Sequence, residues 1–411
     1  MSGGDRPKVL MIAFACNPEG SGEHWLGWGW AEQASKSFRV HLITSANARE
    51  QVMRQAAAHG IEPHFIATPF WLRMVTAPFG RFGAWVRKEI WQVKAARMAR
   101  KLHRCEKFSL VHQTTFHTFR VPFLAAGMGI PSVWGPIAGG EFIPYGFYRF
   151  IGPLLLPESI RRIANYFWLK LPSVQQSLRN ASVLFVSNHT TLEFLPAFCR
   201  EKAIIVPPNA TRPEDAVAPL RVERAPGSRF EILYVGNCLE TRAVPLVFHA
   251  LALAGMPDYR FRVIGSGSGL KLWEKQARVI GVADQVEFVG QVPLKELQRY
   301  YDEADVLVFP ALRDSGGSSL LEAMSKGVPV ICLDWGGPAE MVDERSGIKV
   351  SVTTPHRTIH DFAAALLRLR EYPSYREGLG ACATQRARTM FTWEVKRRLL
   401  EETYHRLIGK K

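Results

Sequence analysis

Asp314 and Glu322 stand eight positions apart in the run DSGGSSLLEAMSKGVPV, separated by a glycine-serine turn that leads into a helical stretch. Backbone N–H groups at such a helix start, here those of Ser315, Gly316, Gly317, Ser318 and Ser319, favour an anion. A diphosphate suits that cradle. One carboxylate can then meet sugar hydroxyls and the other, two turns into the helix, a ribose. The arrangement fits a protein that holds a negatively charged sugar nucleotide. The structural alternatives are a helix-capping aspartate and an exposed helical glutamate.

Other polar residues cluster where predicted strands end. Arg242 lies in YVGNCLETRA (Tyr234–Ala243), and a guanidinium makes charge-assisted, often bidentate bonds to a diphosphate. VIGSGSGLK follows a strand and opens a helix, but Gly265, Gly267 and Gly269 lack the G-x-G-x-x-G spacing of a dinucleotide fingerprint. CNPEGSGEHWLGWGW follows the first strand with Gly20, Gly22 and Gly27, and glycine lets a backbone approach a phosphate. Glu23 there either offsets the helix dipole or contacts an acceptor. His117 and Glu141 follow two later strands; a lone histidine in such a run is usually structural.

Short apolar runs alternate with amphipathic stretches, the pattern of parallel sheets with crossover helices. Predicted strands in the first half are Lys8–Ala15, Arg39–Ser45, Ile61–Ala67, Leu110–Thr114, Ser132–Trp134, Ser182–Ser187 and Ala203–Val206. In the second half they are Glu231–Val235, Arg260–Ile264, Gln285–Val289, Val306–Phe309 and Pro329–Leu333. A length of 411 residues suits two domains. The expected division is an acceptor-side domain over 1–207, a linker over 208–228, a donor-binding domain over 229–390, and a C-terminal helix over 391–411 packing back on the first domain. Ligands in doubly wound sheets bind at the carboxyl ends of strands, so the expected site is an interdomain cleft.

The net charge of +15 is uneven: residues 1–210 hold 24 basic and 12 acidic side chains, and residues 211–411 hold 28 and 25. An excess in the first half favours an anionic partner such as a membrane surface or a phosphorylated acceptor. Arg87, Lys94, Arg97, Lys101 and Arg104 form a basic stripe beside an apolar one of Trp91, Ala95, Met98, Leu102 and Cys105. Either a solvated helix face or adsorption to anionic headgroups accounts for it. The aromatic region Phe142–Lys170 is either an interface loop or domain packing. Six dispersed cysteines without a CxxC pair read as reduced core thiols of a cytoplasmic protein. Val121–Gly140 carries no charge, but three prolines and five glycines make it a short helix, a buried strand and a turn.

The second half resembles glycosyltransferase family 4 nearly from end to end. In that family two acidic residues bracket seven others; the first is usually Glu, and Asp314 departs from this. Arg242 stands where the family usually has Lys, and Asn237 where it has Arg, so one of two diphosphate-binding cations is missing. VEFVGQV resembles the segment whose backbone meets the base, and DWGGPAEMVDERSG the family's Gly-Gly-x-x-Glu turn. Many members have a histidine where Gly135 and Pro136 stand here.

The resemblance implies an α/β protein of GT-B fold, with two Rossmann-like doubly wound domains facing an interdomain cleft. It implies a retaining glycosyltransferase of polysaccharide, lipopolysaccharide or other glycoconjugate biosynthesis. The implied donor contacts begin with Gly20, Gly22, Gly236, Asn237, Arg242, Gly265 and Gly290. Asp314, Ser315 to Ser319 and Glu322 complete them. Asp314, Arg242, Glu141 and His117 are the catalytic candidates, with Glu23, His117 and Glu141 on the acceptor side.

No metal or other cofactor is expected, since neither a DxD nor a metal-spaced His/Cys cluster occurs. No G-x-x-x-x-G-K-[ST] loop or G-x-S-x-G elbow occurs either. The expected partners are a nucleotide-sugar donor, a sugar or lipid-linked acceptor and an anionic membrane, not nucleic acid. The expected location is the cytoplasm, peripherally on the inner face of the cell membrane. The alternatives are a sugar-nucleotide epimerase on the same fold and a non-catalytic sugar-nucleotide-binding protein.

Overall fold

The structure, a computed structural model, describes residues 6–211 and 229–409. Most of the expected linker therefore lies outside the described residues. Two compact units emerge. The first comprises the described residues of 1–140, 163–208 and 393–411, and the second those of 141–162 and 209–392.

In the first unit seven parallel strands line up in the order β3-β2-β1-β4-β5-β6-β7. They are β1 (Lys8–Ala13), β2 (Arg39–Ser45), β3 (Ile61–Ile66), β4 (Leu110–Gln113), β5 (Ser132–Ile137), β6 (Val183–Val186) and β7 (Ala203–Ile205). The central runs, such as VLMIA of β1, are buried throughout because helices cover both faces of the sheet. The helices are α1 (Glu23–Ser35), α2 (Arg49–Ala56), α3 (Phe70–Thr76), α4 (Gly80–Glu106), α5 (Leu155–Lys170, of which only the part from Ile163 on belongs to this unit), α6 (Pro172–Asn180) and α7 (His189–Phe194).

The second unit holds β8 (Phe230–Val235), β9 (Tyr259–Ile264), β10 (Val286–Gly290), β11 (Val306–Phe309), β12 (Val330–Leu333) and β13 (Gly347–Val350), in the order β10-β9-β8-β11-β12-β13. Its helices are α8 (Pro245–Ala254), α9 (Leu270–Ile280), α10 (Leu294–Glu303), α11 (Ser318–Ser325), α12 (Gly336–Met341), α13 (Pro355–Glu371) and α14 (Pro373–Met390). The chain closes with α15 (Trp393–Ile408) in the first unit. There Gly29 of α1 leaves room for the Trp393 ring, since a Cβ would come within 2.1 Å of it.

Four sequence expectations change. The segment Glu141–Arg162, assigned by sequence to the first domain, belongs to the second unit. Its Phe147, Tyr148, Phe150 and Ile151 join the core that covers β8 and β9. β5 runs on through Gly135 and Pro136, so these residues lie within the strand rather than after it. Residues 121–131 form turns instead of a short helix. Of the apolar stripe on α4, Trp91 and Ala95 are buried, Met98 and Leu102 half-buried, and Cys105 exposed, because the buried face runs on through Gln92, Ala96 and Ala99 instead. β13 was not anticipated: its GIKV lies inside a glycine-rich, charged stretch with little local strand signal.

Candidate functional site

Each sheet reverses its strand order once, between β1 and β4 in the first unit and between β8 and β11 in the second. Such switch points open a crevice beyond the carboxyl ends of the two central strands, where doubly wound folds bind ligands. Arg242 and Asp314 lie at the second of these places, and Glu23 and His117 at the first.

In the second unit, the loop after β8 carries Arg242 and the loop after β11 carries Asp314. Arg242 Nη1 donates to Asp314 Oδ2 and, at 3.3 Å, to the carbonyl of Arg313. The guanidinium lies 5.6 Å from the centre of the Phe309 ring. Burial lowers its pKa from the usual arginine value. The other oxygen of Asp314, Oδ1, accepts from the N–H of Gly316 at 2.8 Å. Asp314 is thus not the helix cap: α11 starts four residues later, and Gly317 stands at its N-cap with φ 123°. Glu322, half-buried on α11, accepts from the hydroxyl of the buried Tyr301 at 2.8 Å.

The amides of the glycine-serine turn are not all open to an anion, as the spacing suggested. Gly316 is bonded to Asp314. With the Asn209 amide oriented so that both its ends are satisfied, its oxygen accepts from Gly317 at 2.8 Å and Ser318 at 3.2 Å. An amide oxygen therefore stands where a phosphate oxygen would, on the first N–H groups of α11. Asn209 was missed because it is remote in sequence and sits in a stretch without periodicity. The one available signal was its short polar side chain, of the type that caps helices.

The glycines after the neighbouring strands have a packing role. A Cβ on Gly265 would lie 1.9 Å from the Gly236 carbonyl oxygen, and one on Gly267 2.4 Å from that of Cys238. Gly265 N–H donates to Gly290 O at 2.8 Å, joining the ends of β9 and β10. Asn237 is exposed, and its carbonyl accepts from Tyr234 at 3.0 Å. Gly337 N–H donates to the Asp314 carbonyl at 2.8 Å, fixing the turn after β12 against that after β11.

Glu141 belongs to the second unit and lies near Asp314 there. A Cβ on Gly336 would meet Asp314 O at 2.6 Å and Glu141 Cγ at 3.6 Å. The Glu141 carbonyl accepts from Arg161 Nη2 at 2.5 Å, and Arg161 also forks onto the buried Glu158. Glu158 in turn pairs with Arg313, the residue before Asp314. This Arg161–Glu158–Arg313 chain escaped sequence reasoning because Arg313 lies 155 positions from Glu158.

In the first unit, Glu23 Oε1 accepts from the backbone N–H of His117 at 3.1 Å, joining the start of α1 to the loop after β4. Burial lowers the His117 pKa, against the opposing pull of Glu23, so the ring is held neutral. Its Nε2 is buried, with no hydrogen-bond partner among the described residues. Gly22 stands at the start of α1 with φ 56° and open space around it. Gly20 packs on Asn17 and His24, and Gly27 packs on Ala15, so Gly27 serves contact between helix and strand. Burial pushes the Cys16 and Cys332 thiols up to about 12 and those of Cys199 and Cys238 to about 11, which marks core thiols.

Two doubly wound units, with polar residues at both switch points, define the GT-B fold. The chain is similar over 99% of its length to sucrose-phosphate synthase from Thermosynechococcus elongatus, with a TM-score of 0.64 and 16% identity, covering 100% of that chain. It is similar over 98% to Anabaena HepE in complex with UDP, with a TM-score of 0.62, 16% identity and 100% of that chain covered. Residues 220–386 match the family model described as "Glycosyl transferases group 1". Among curated proteins, the chain is 35% identical over 188 residues to D-inositol 3-phosphate glycosyltransferase of Thermomonospora curvata, 43% of each chain. It is 26% identical over 296 residues to a GDP-mannose-dependent phosphatidylinositol monomannoside mannosyltransferase of Mycolicibacterium smegmatis, covering 66% of this chain and 75% of that one. The match to the first of these spans less than half of that relative's length.

Proposed function

We propose that the protein is a glycosyltransferase that moves a sugar from a nucleotide diphosphate donor to an acceptor hydroxyl. The observation that carries this reading is the Arg242–Asp314 pair, set at a switch point beside the glycine turn that opens α11. It lies inside the stretch that matches group 1 glycosyl transferases. The relatives named as transferases and the neighbour bound to UDP support it. They lend nothing to an epimerase or to a protein that only binds.

In this reading Arg242 turns from Asp314 to the diphosphate and offsets the charge of the departing group. Amides at the start of α11 assist once Asn209 withdraws. Asp314 and Glu141 meet the sugar, and Glu322, steadied by Tyr301, the ribose. Glu23 and the neutral His117 serve the acceptor, His117 with its unpartnered Nε2 as a proton acceptor. Retention and membership of family 4 follow from the motif resemblance. The reading assigns no step to a metal.

A panel of sugar nucleotides in thermal unfolding tests it, because a ligand that binds only the native state raises stability with its concentration. At least one uridine or guanosine diphosphate sugar should raise the melting temperature, and Arg242→Ala should remove that rise. No response to any sugar nucleotide would overturn the reading.

A further inference from the structure

α3 and the start of α4 invert the usual rule for a surface helix. Leu72 and Thr76, one turn apart, face inward at 5% and 6% exposure. The outward positions are Phe70, Trp71, Met74, Val75, Phe79 and Phe82, all between 60% and 76% exposed. A cluster of large apolar side chains in adjacent turns is uncommon on a surface that meets only water. The segment is held in place from beneath: Arg73 donates to Asn47 at 2.6 Å and Arg87 to Thr76 at 2.5 Å. The apolar side chains point outward from an anchored backbone.

The face continues onto α5 within the first unit. Phe82 packs on Trp85 at 5.6 Å, and Trp85 on Trp168 at 4.9 Å. Around Trp168, Ile163 and Phe167 are 59% and 67% exposed. The charge carried by this segment has one sign. No acidic residue occurs between Glu62 and Glu89, while Arg73, Arg81, Arg87 and Lys88 do. Burial raises the Glu89 carboxyl to about 7, which weakens the one acidic charge in the middle of α4.

We propose that Phe70–Phe82 is an interfacial wedge that inserts into an anionic lipid bilayer surface. Phe70, Trp71, Met74, Val75, Phe79 and Phe82 enter the headgroup boundary, while the surrounding arginines and lysines meet lipid phosphates. Among the described residues no helix is long and apolar enough to cross a membrane, so the wedge lies on the bilayer instead of spanning it. Charge complementarity selects the bilayer over a second copy of this chain, whose matching face would carry the same positive charge. The wedge goes beyond the transfer reading and stands without it.

The test is flotation of the full chain with vesicles of phosphatidylcholine, with and without phosphatidylglycerol, at low and high salt. The wild type should float with the phosphatidylglycerol vesicles and release partly at high salt. Phe70→Ser with Trp71→Ser should weaken binding by at least about tenfold, given the apolar area removed. Both positions are exposed, so this variant should keep the wild-type melting temperature and the same sugar-nucleotide response. Phe79→Ser with Phe82→Ser is the independent second variant. Wild-type protein that stays off phosphatidylglycerol vesicles at low salt would overturn the proposal. So would serine variants that float as the wild type does, since charge alone would then account for binding. A concentration-dependent dimer abolished by the same variants, without vesicle binding, would assign the face to a second copy and also overturn it.

Discussion

Arg242 donates from Nη1 to Oδ2 of Asp314, tying the loop after β8 to the loop after β11 across the switch point of the second unit. The cation expected to meet a diphosphate and the carboxylate expected to meet a sugar thus hold one another in this structure. Both side chains are mostly buried, with 17% and 11% of their surface exposed. Removing one leaves the other's charge poorly compensated.

Arg242→Ala should lower transfer by roughly a hundredfold or more, the usual cost of losing a donor to a developing negative charge. Asp314→Asn keeps the shape but removes the counter-charge. It should retain donor affinity and lose turnover. Donor titration and initial rates on both variants separate the two roles. Equal loss of donor binding in both would show that the pair acts only as a scaffold.

Asn209→Ala should tighten donor binding. The substitution removes an oxygen from the Gly317 and Ser318 amides, a capping interaction whose loss costs about 1 kcal/mol. If a diphosphate takes those amides, that cost falls on the free protein alone. Donor affinity should then rise roughly fivefold while the melting temperature of the free protein drops. Calorimetric titration measures the first and thermal unfolding the second. Weaker donor binding would mean that Asn209 holds the ligand rather than its place.

Glu158→Ala should be among the most damaging changes outside the switch points. Glu158 is 3% exposed between Arg161 and Arg313, so its loss removes the buried carboxylate that both cations share, at a cost of roughly 3–5 kcal/mol. Since Arg313 precedes Asp314, donor binding should weaken as well. Denaturant unfolding and a sugar-nucleotide shift assay report the two effects. A fall in stability with unchanged donor affinity would confine the chain of charges to packing.

His112 makes stability depend on pH. It is fully buried, its Nδ1 is 2.5 Å from the Tyr404 hydroxyl and its Nε2 2.9 Å from the Gly135 carbonyl, and burial lowers its pKa to about 4. In the unfolded chain the ring returns to about 6.5. The unfolded state then binds the extra proton first as pH falls. The contribution is therefore whole above about 6.5 and fades between about 6.5 and about 4, by roughly 3 kcal/mol. Denaturant melts across that window should show a steeper decline in wild type than in His112→Asn. Parallel declines would exclude His112 as the source.

The fold was largely legible. Twelve of thirteen strands follow from short apolar runs set between amphipathic stretches, because a buried parallel strand needs apolar side chains on both faces. The exception, β13, carries Gly347 and Lys349 in a strand of four residues. The donor-side candidates were legible for the same local reason: Asp314, the glycine turn and Glu322 lie on one strand-turn-helix unit, and Arg242 sits at the end of the adjoining strand.

The sequence by itself determined the type and order of the elements, and with them which loops end at the carboxyl edges of the sheets. Those are consequences of local periodicity and turn chemistry, which a window of some ten to twenty residues contains. Only the tertiary structure decided the partners. It brought Asn209 to the start of α11, Glu141 near Asp314, and Glu158 between Arg161 and Arg313. It also turned Phe70, Trp71 and their neighbours outward, although a run so apolar reads as core. Hydrogen bonds and ion pairs between residues far apart in sequence depend on how elements pack, and no local pattern encodes that.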